Sequence, residues 1–227
     1  GAVGDDEAGR RQAEALDAAG VDIRWLRRLA GVPTGTAYIQ VDTRGENTIV
    51  VVQGANARVA LPGGDVEARV VVTQNEIPPA AQQAAGELAA RAGARLVINA
   101  APAPGSPPPW YGNADPLVVN EHEAAQLAAS NEAGAGLLRR LRERTGARSV
   151  VMTLGERGAL VDDGTGVHAI PPVVVEQVVD ATGAGDTFVG VLAARLARGE
   201  GLVAAASAAN RFAAEAVTWS GARPPAG

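Results

Sequence analysis

Residues 178–191 read VVDATGAGDTFVGV, and the meaning of the whole chain turns on this stretch. An apolar strand end runs into a Gly-rich turn, and a helix with Phe188, Val191, Leu192 and Leu196 on its apolar face leaves it. Backbone N–H groups in the first turn of a helix have no intrahelical partner and carry the positive end of the helix dipole. Gly183 and Gly185 carry no Cβ that would hold an anion away from those groups. Asp186 stands at the same junction, where a carboxylate is placed to take the proton of a hydroxyl being phosphorylated. Anion cradle plus proton acceptor points to phosphoryl transfer to an alcohol. A Gly-x-Gly-Asp before a helix is also a common plain turn with an acidic helix start, and the segment alone leaves both readings open.

Composition narrows the choice. At 227 residues, 47% apolar and 20% charged, the chain suits one globular domain with a substantial core. The net charge of −5 argues against nucleic acid as a partner. No apolar run approaches the ~18 residues of a membrane span, so no membrane partner and a cytoplasmic location are expected. There is no Cys, which removes thiol nucleophiles and thiolate zinc sites, and the two His, His122 and His168, are too few for a histidine metal cluster. Every basic side chain is Arg. Without Lys there is no Walker-type phosphate loop, protein-kinase site or pyridoxal Schiff base. None of the five Ser residues lies in a Gly-x-Ser-x-Gly elbow. Carboxylates and backbone amides are the catalytic groups that remain.

Residues 5–19 read as a helix, followed by strands at Asp22–Leu26, Thr36–Asp42 and Thr48–Gln53, the last two joined by a hairpin connection over residues 43–47. Strands at 70–73, 95–99, 116–119, 149–154, 159–162 and 167–170 then alternate with helices at 79–92, 121–129, 134–145, 185–197 and 202–217. Residues 102–109 hold five prolines and a glycine and read as an irregular loop. This alternation indicates an α/β fold with a mostly parallel sheet and helices on both faces. In such sheets ligands bind at the carboxyl ends of the strands. Those ends carry Thr73-Gln74-Asn75-Glu76, Asn120-Glu121-His122-Glu123, Thr153-Leu154-Gly155 and Asp180-Ala181-Thr182.

Five segments in order resemble the ribokinase family of small-molecule kinases. They are Gly35-Thr36-Ala37 with Gly45-Glu46-Asn47 and Gly54-Ala55-Asn56-Ala57; Asn99-Ala100-Ala101-Pro102-Ala103; Asn120-Glu121-His122-Glu123; Thr153-Leu154-Gly155-Glu156-Arg157-Gly158; and Asp180 through Phe188. The resemblance implies a three-layer α/β/α sandwich over residues 1–227, with residues 33–55 contributing strands of a small β lid. It implies ATP-dependent phosphorylation of D-ribose, with Mg²⁺ and K⁺, and a homodimer formed through the lid. Asp186 would be the catalytic base, with Gly183, Ala184, Gly185 and Asp186 forming the anion hole. Glu76 would bind a sugar hydroxyl together with Asp186. Asn120, Thr153, Leu154, Gly155, Glu156, Arg157, Gly158, Gly185, Asp186 and Asn210 would bind the nucleotide. Glu123 would hold magnesium through water, and Asp180, Thr182, Ala216, Trp219 and Gly221 would hold potassium.

Other readings stand beside these. Glu76, close before Pro78, also serves as a loop cap, and Asn120 with Glu123 also serves as a helix start with early acids. Fructokinase, nucleoside kinase or ketodeoxygluconate kinase activity remains open, as does a nucleotide-binding remnant without activity. The family's amino-terminal Asn-x-Asp and Gly-Gly-Lys-Gly-Ala-Asn motifs have no counterpart, the chain starts at Gly1, and Pro225 stands where a potassium-site Ser is expected. The stretch therefore reads as a piece of a longer kinase.

Overall fold

Hydrophobic alternation along the central strands organises the molecule. The computed structural model describes residues 1–41, 47–61, 63–64 and 66–222. Of the expected hairpin connection at 43–47, residues 43–46 with Gly45 and Glu46 lie outside the described residues, as does Pro225, and Asn47 is the first residue of β4. In chain order the elements are β1 (Ala2–Gly4), α1 (Glu7–Ala18), β2 (Arg27–Leu29), β3 (Thr36–Val41), β4 (Asn47–Val52), β5 (Val70–Gln74), α2 (Pro79–Ala92), β6 (Arg95–Asn99), β7 (Leu117–Asn120), α3 (Glu121–Ala128), α4 (Gly134–Thr145), β8 (Val150–Thr153), β9 (Ala159–Asp162), β10 (Val167–Ile170), α5 (Ala184–Ala197) and α6 (Leu202–Ala216). Short 3₁₀ turns occupy Gly54–Arg58, Pro109–Asn113 and Gly155–Arg157. The chain divides into two compact units, Gly1–Gly64 with Glu76–Ala84, and Asp65–Asn75 with Ala85–Gly227. Among the described residues no helix is long and apolar enough to cross a membrane.

In the first unit β1 pairs in parallel with β2, and β3 pairs antiparallel with β4 from Thr36 opposite Val52 to Val41 opposite Asn47. Asp6 caps α1 by accepting the Gly9 amide at 2.8 Å. The same carboxylate takes the Thr34 amide at 2.8 Å and the Thr34 hydroxyl at 2.5 Å, tying the helix start to the segment before β3. Gly54 has φ +48°, and a Cβ there would lie 2.3 Å from the Pro33 carbonyl, so only glycine lets these two backbones meet. The expected strand at Asp22–Leu26 is absent, and the strand begins at Arg27 instead. Asp22 accepts the Arg24 amide at 3.0 Å and its guanidinium at 2.6 Å, and the Leu26 amide turns back to Ile23. That local side-chain bonding competes with the strand ladder. β1, which the sequence reading left unassigned, supplies the partner of β2.

The second unit is a six-stranded sheet in the order β10-β9-β8-β7-β6-β5. Strands β5 to β8 are parallel, and β8-β9-β10 are antiparallel. One face of the sheet sends Leu96, Ile98, Leu117, Val119, Val150 and Met152 against Leu127 of α3 and Leu137, Leu138 and Leu141 of α4. The alternate residues Val97, Val118, Val151, Ala159 and Val161 meet Phe188, Leu192 and Leu196 of α5 and Leu202, Ala205 and Ala209 of α6. A period of two with both sets apolar demands cover on both sides, and the three-layer α/β/α sandwich follows. Burial of α5 on the sheet fixes where its amino terminus emerges. Leu192 has no exposed surface. Leu192→Ala is expected to cost about 2–5 kcal/mol, measured as a lowered urea midpoint.

Candidate functional site

The start of α5 is shaped by one glycine and the chain that presses on it. Gly183 is the N-cap, with φ +79° and no side-chain cap. A Cβ on Gly183 would lie 2.9 Å from the Ala222 carbonyl oxygen and 3.0 Å from its Cα. Its missing side chain thus admits the backbone of residue 222 rather than an anion. Gly185 is the glycine whose open side faces free space. The Ala184 amide donates to the Ala181 carbonyl at 3.3 Å, and the first bond of the helix runs from the Thr187 amide to the Gly183 carbonyl at 2.8 Å. Of the four residues expected to form an anion hole, Ala184 has its amide taken by a protein carbonyl, and the amides of Gly183, Gly185 and Asp186 donate to no protein acceptor among the described residues. Asp186 is exposed directly beside them.

Gly185 lines a cavity of about 410 Å³, whereas Asp186, the next residue, does not line it. Thr153, Gly155, Glu156 and Gly158 line it on the β8 side, and Ala184, Gly185 and Phe188 line it on the α5 side. Asn210 contributes from α6, its side-chain amide held by the Pro171 carbonyl at 3.0 Å. The rest of the lining is apolar: Val178 and Ala181 from the stretch that leads into α5, and Val173, Val175, Ala213, Ala214 and Val217, which the sequence did not single out. The Val-rich run after Pro171-Pro172 forms neither helix nor strand, so no period marked it. Its one sequence signal is apolarity without an element to bury it.

The 155–158 turn is shaped by Gly158, whose Cβ would lie 2.2 Å from the Ile170 carbonyl. Leu154 packs against the core, so of this loop's residues it acts from behind the lining. Arg157 is bound to Glu121, the first residue of α3, and does not line the cavity. β7 and β8 are neighbours with Asn120 opposite Thr153, so the start of α3 emerges beside this loop.

Asn120 and Glu123 form a reciprocal capping box: the Glu123 amide donates to Asn120 Oδ1 and the Asn120 amide to Glu123 Oε2, each at 2.8 Å. Burial pushes the Glu123 carboxyl up, opposed by the Asn120 amide and by nearby His122. The second carboxylate oxygen, Oε1, takes no part in the box. In the segment that leads into α5, Asp180 accepts the amides of Thr182 and Gly221, each at 2.9 Å. Hydrogen bonding by the Thr182 side chain, then by the Thr182 and Gly221 amides, holds this carboxyl below the usual range. Asp180, Thr182 and Gly221 are thereby brought together, with buried Ala216 at the end of α6 and Trp219 in the turn that follows. Asn75 donates to the hydroxyl of fully buried Tyr111 at 2.8 Å and to the Pro102 carbonyl at 2.7 Å, ordering the Pro-rich loop. Glu76 is exposed in the turn after β5 and belongs to the first unit.

A family model described as pfkB family carbohydrate kinase matches residues 1–226. The mouse protein named Ribokinase is 35% identical over 208 residues, which are 86% of this chain and 64% of that protein. Ribokinase of Schizosaccharomyces pombe is 31% identical over 214 residues, 89% of this chain and 67% of its relative. The solved structure of Arabidopsis thaliana ribokinase complexed with ribose and ATP superposes with a TM-score of 0.87 at 26% identity, covering 98% of this chain and 76% of that one. The chain thus spans about two thirds of the length of these curated relatives.

The capping box can be separated from any other duty of its members. Asn120→Ala is expected to cost about 1 kcal/mol in urea unfolding. Glu123→Gln keeps an acceptor for the Asn120 amide and is expected to leave stability within about 0.5 kcal/mol of the parent.

Proposed function

The chain belongs to the pfkB family of carbohydrate kinases, and from that membership we propose that it transfers the γ-phosphoryl group of ATP to the 5-hydroxyl of D-ribose, giving D-ribose 5-phosphate and ADP. The observation that carries the reading is the pairing of two open amides, Gly185 and Asp186, with the exposed Asp186 carboxylate, where Gly185 lines a cavity that Thr153, Gly155, Glu156 and Gly158 also line. Two relatives named ribokinase and a neighbour complexed with ribose and ATP support ribose as the acceptor.

The apolar lining at Val173, Val175, Val178, Ala213 and Ala214 suits an adenine ring, with Asn210 as its polar neighbour. The triphosphate then runs toward α5. Oxygens of the γ-phosphoryl accept the Gly185 and Asp186 amides, whose partial charge is reinforced by the helix dipole. The Asp186 carboxylate takes the hydroxyl proton as O5 attacks the γ-phosphorus. The bond from that phosphorus to the β,γ-bridging oxygen breaks, and ADP leaves with the electron pair. The carboxylate orients the hydroxyl first and receives the proton late, when bond formation has acidified it.

The residues present fit two cations. Glu123 has one oxygen left over from its capping box, and burial already disfavours its charged form, a cost that a nearby Mg²⁺ bound through water offsets. The carbonyl oxygens of Asp180, Thr182, Ala216, Trp219 and Gly221 accept no hydrogen bond among the described residues, the donor chemistry that suits K⁺. Together the ions would supply positive charge around the phosphates, which a chain without Lys otherwise draws from amides and Arg. Glu76 would hold a sugar hydroxyl. Residues 33–55 would act as a lid, and the exposed Tyr38, Val50, Val51 and Val52 of its strands suit burial in a homodimer.

In the full-length protein Asp186→Asn is expected to lower kcat by about 10²–10⁴ while the ATP KM stays within about threefold. A coupled ADP-release assay with ribose, fructose and adenosine reads this out. Undiminished turnover by the variant rejects the base, and preference for fructose or adenosine rejects the ribose assignment. Glu123→Gln is expected to raise the Mg²⁺ concentration for half-maximal turnover in the same assay.

A further inference from the structure

The rim of the cavity contains a contact whose purpose neither packing nor the proposed chemistry absorbs. Gly155, Glu156 and Arg157 are all exposed, and Gly155 and Gly158 both have positive φ, at +59° and +88°. The turn is closed at its base by the Leu154 amide on the Gly158 carbonyl at 2.8 Å. No side chain at its tip reaches the core. What does reach across is Arg157, whose Nη2 donates to Glu121 Oε2. Glu121 sits on a firm support, since α3 is pinned by the Asn120–Glu123 capping box and packs Leu127 and Ala128 into the core. Gly155, Glu156 and Gly158 line the cavity, while the guanidinium between them is engaged on α3.

We propose that the Glu121–Arg157 ion pair is a latch that positions the nucleotide-side turn by tying its tip to α3. Both are positioning residues for the nucleotide, and Arg157 acts through Glu121 rather than on the phosphates. The inference rests on the nucleotide reading of the cavity given above. An exposed ion pair adds little to global stability. Its effect falls on the ligand, because an untied turn must be ordered when the nucleotide binds.

The test measures ADP affinity by calorimetry on the full-length protein, for Glu121→Arg, Arg157→Glu and the two combined. Each single variant is expected to raise the Kd for ADP about three- to tenfold, and the combined swap to return it to within about twofold of the parent. The Glu121→Arg arm is the discriminating one. Simple attraction of phosphates would make an added cation tighten ADP, whereas a latch makes it weaken ADP by setting two guanidinium groups against each other. Tighter or unchanged binding in that variant, or a combined swap as weak as Arg157→Glu, overturns the latch. Ribose-dependent ADP production by the parent protein tests the kinase reading separately. A parent that binds ADP but does not turn over contradicts that reading alone, and a parent that does not bind ADP contradicts both.

Discussion

Close approach of the backbone at residue 222 to Gly183 is the contact on which the candidate site depends. It requires a residue without Cβ in a left-handed conformation, and it sets the angle at which the chain enters α5. Asp180 reinforces it from the same side by gathering the Thr182 and Gly221 amides onto one carboxylate. A helix entered through a side-chain cap would have spent its first amides on that cap. Here Gly183 offers no side chain, so the amides of Gly185 and Asp186 stay open, with Gly185 on the wall of the cavity.

The sheet turns that local arrangement into a site. Because β7 and β8 are parallel neighbours, the loops that follow them emerge side by side, one carrying the Asn120–Glu123 capping box and the other the Gly155–Arg157 turn. Because the alternate residues of the same strands bury α5 on the opposite face from α3 and α4, the amino end of α5 opens on the cavity that the second loop lines. Acidic groups do different work in this setting. Asp180 is held ionised by donors, Glu123 carries a burial cost that a cation offsets, and Asp186 has solvent and no protein partner among the described residues.

Much of this was legible in the residues because it is written in short range. The Gly-rich start of α5, the alternating apolar strands 95–99 and 150–153, and the helix at Pro79–Ala92 each follow from local pattern. The strand before residue 30 was misplaced because Asp22 bonds to Arg24, a competition that periodicity does not register. Gly183 and Gly185 look alike in sequence, yet one serves a backbone contact thirty-nine residues on (222 − 183) and the other leaves open space. The Val173–Val178 wall has no period, and the Glu121–Arg157 pair is separated by 36 residues, so neither had a local signature.

Hydrogen exchange at the Gly185 and Asp186 amides, followed by NMR in the full-length protein, tests the central claim most directly. Open amides exchange rapidly in the free protein, and with ribose and a non-hydrolysable ATP analogue both are expected to slow about tenfold or more. Nucleotide that binds while these two amides exchange as fast as before would contradict the account.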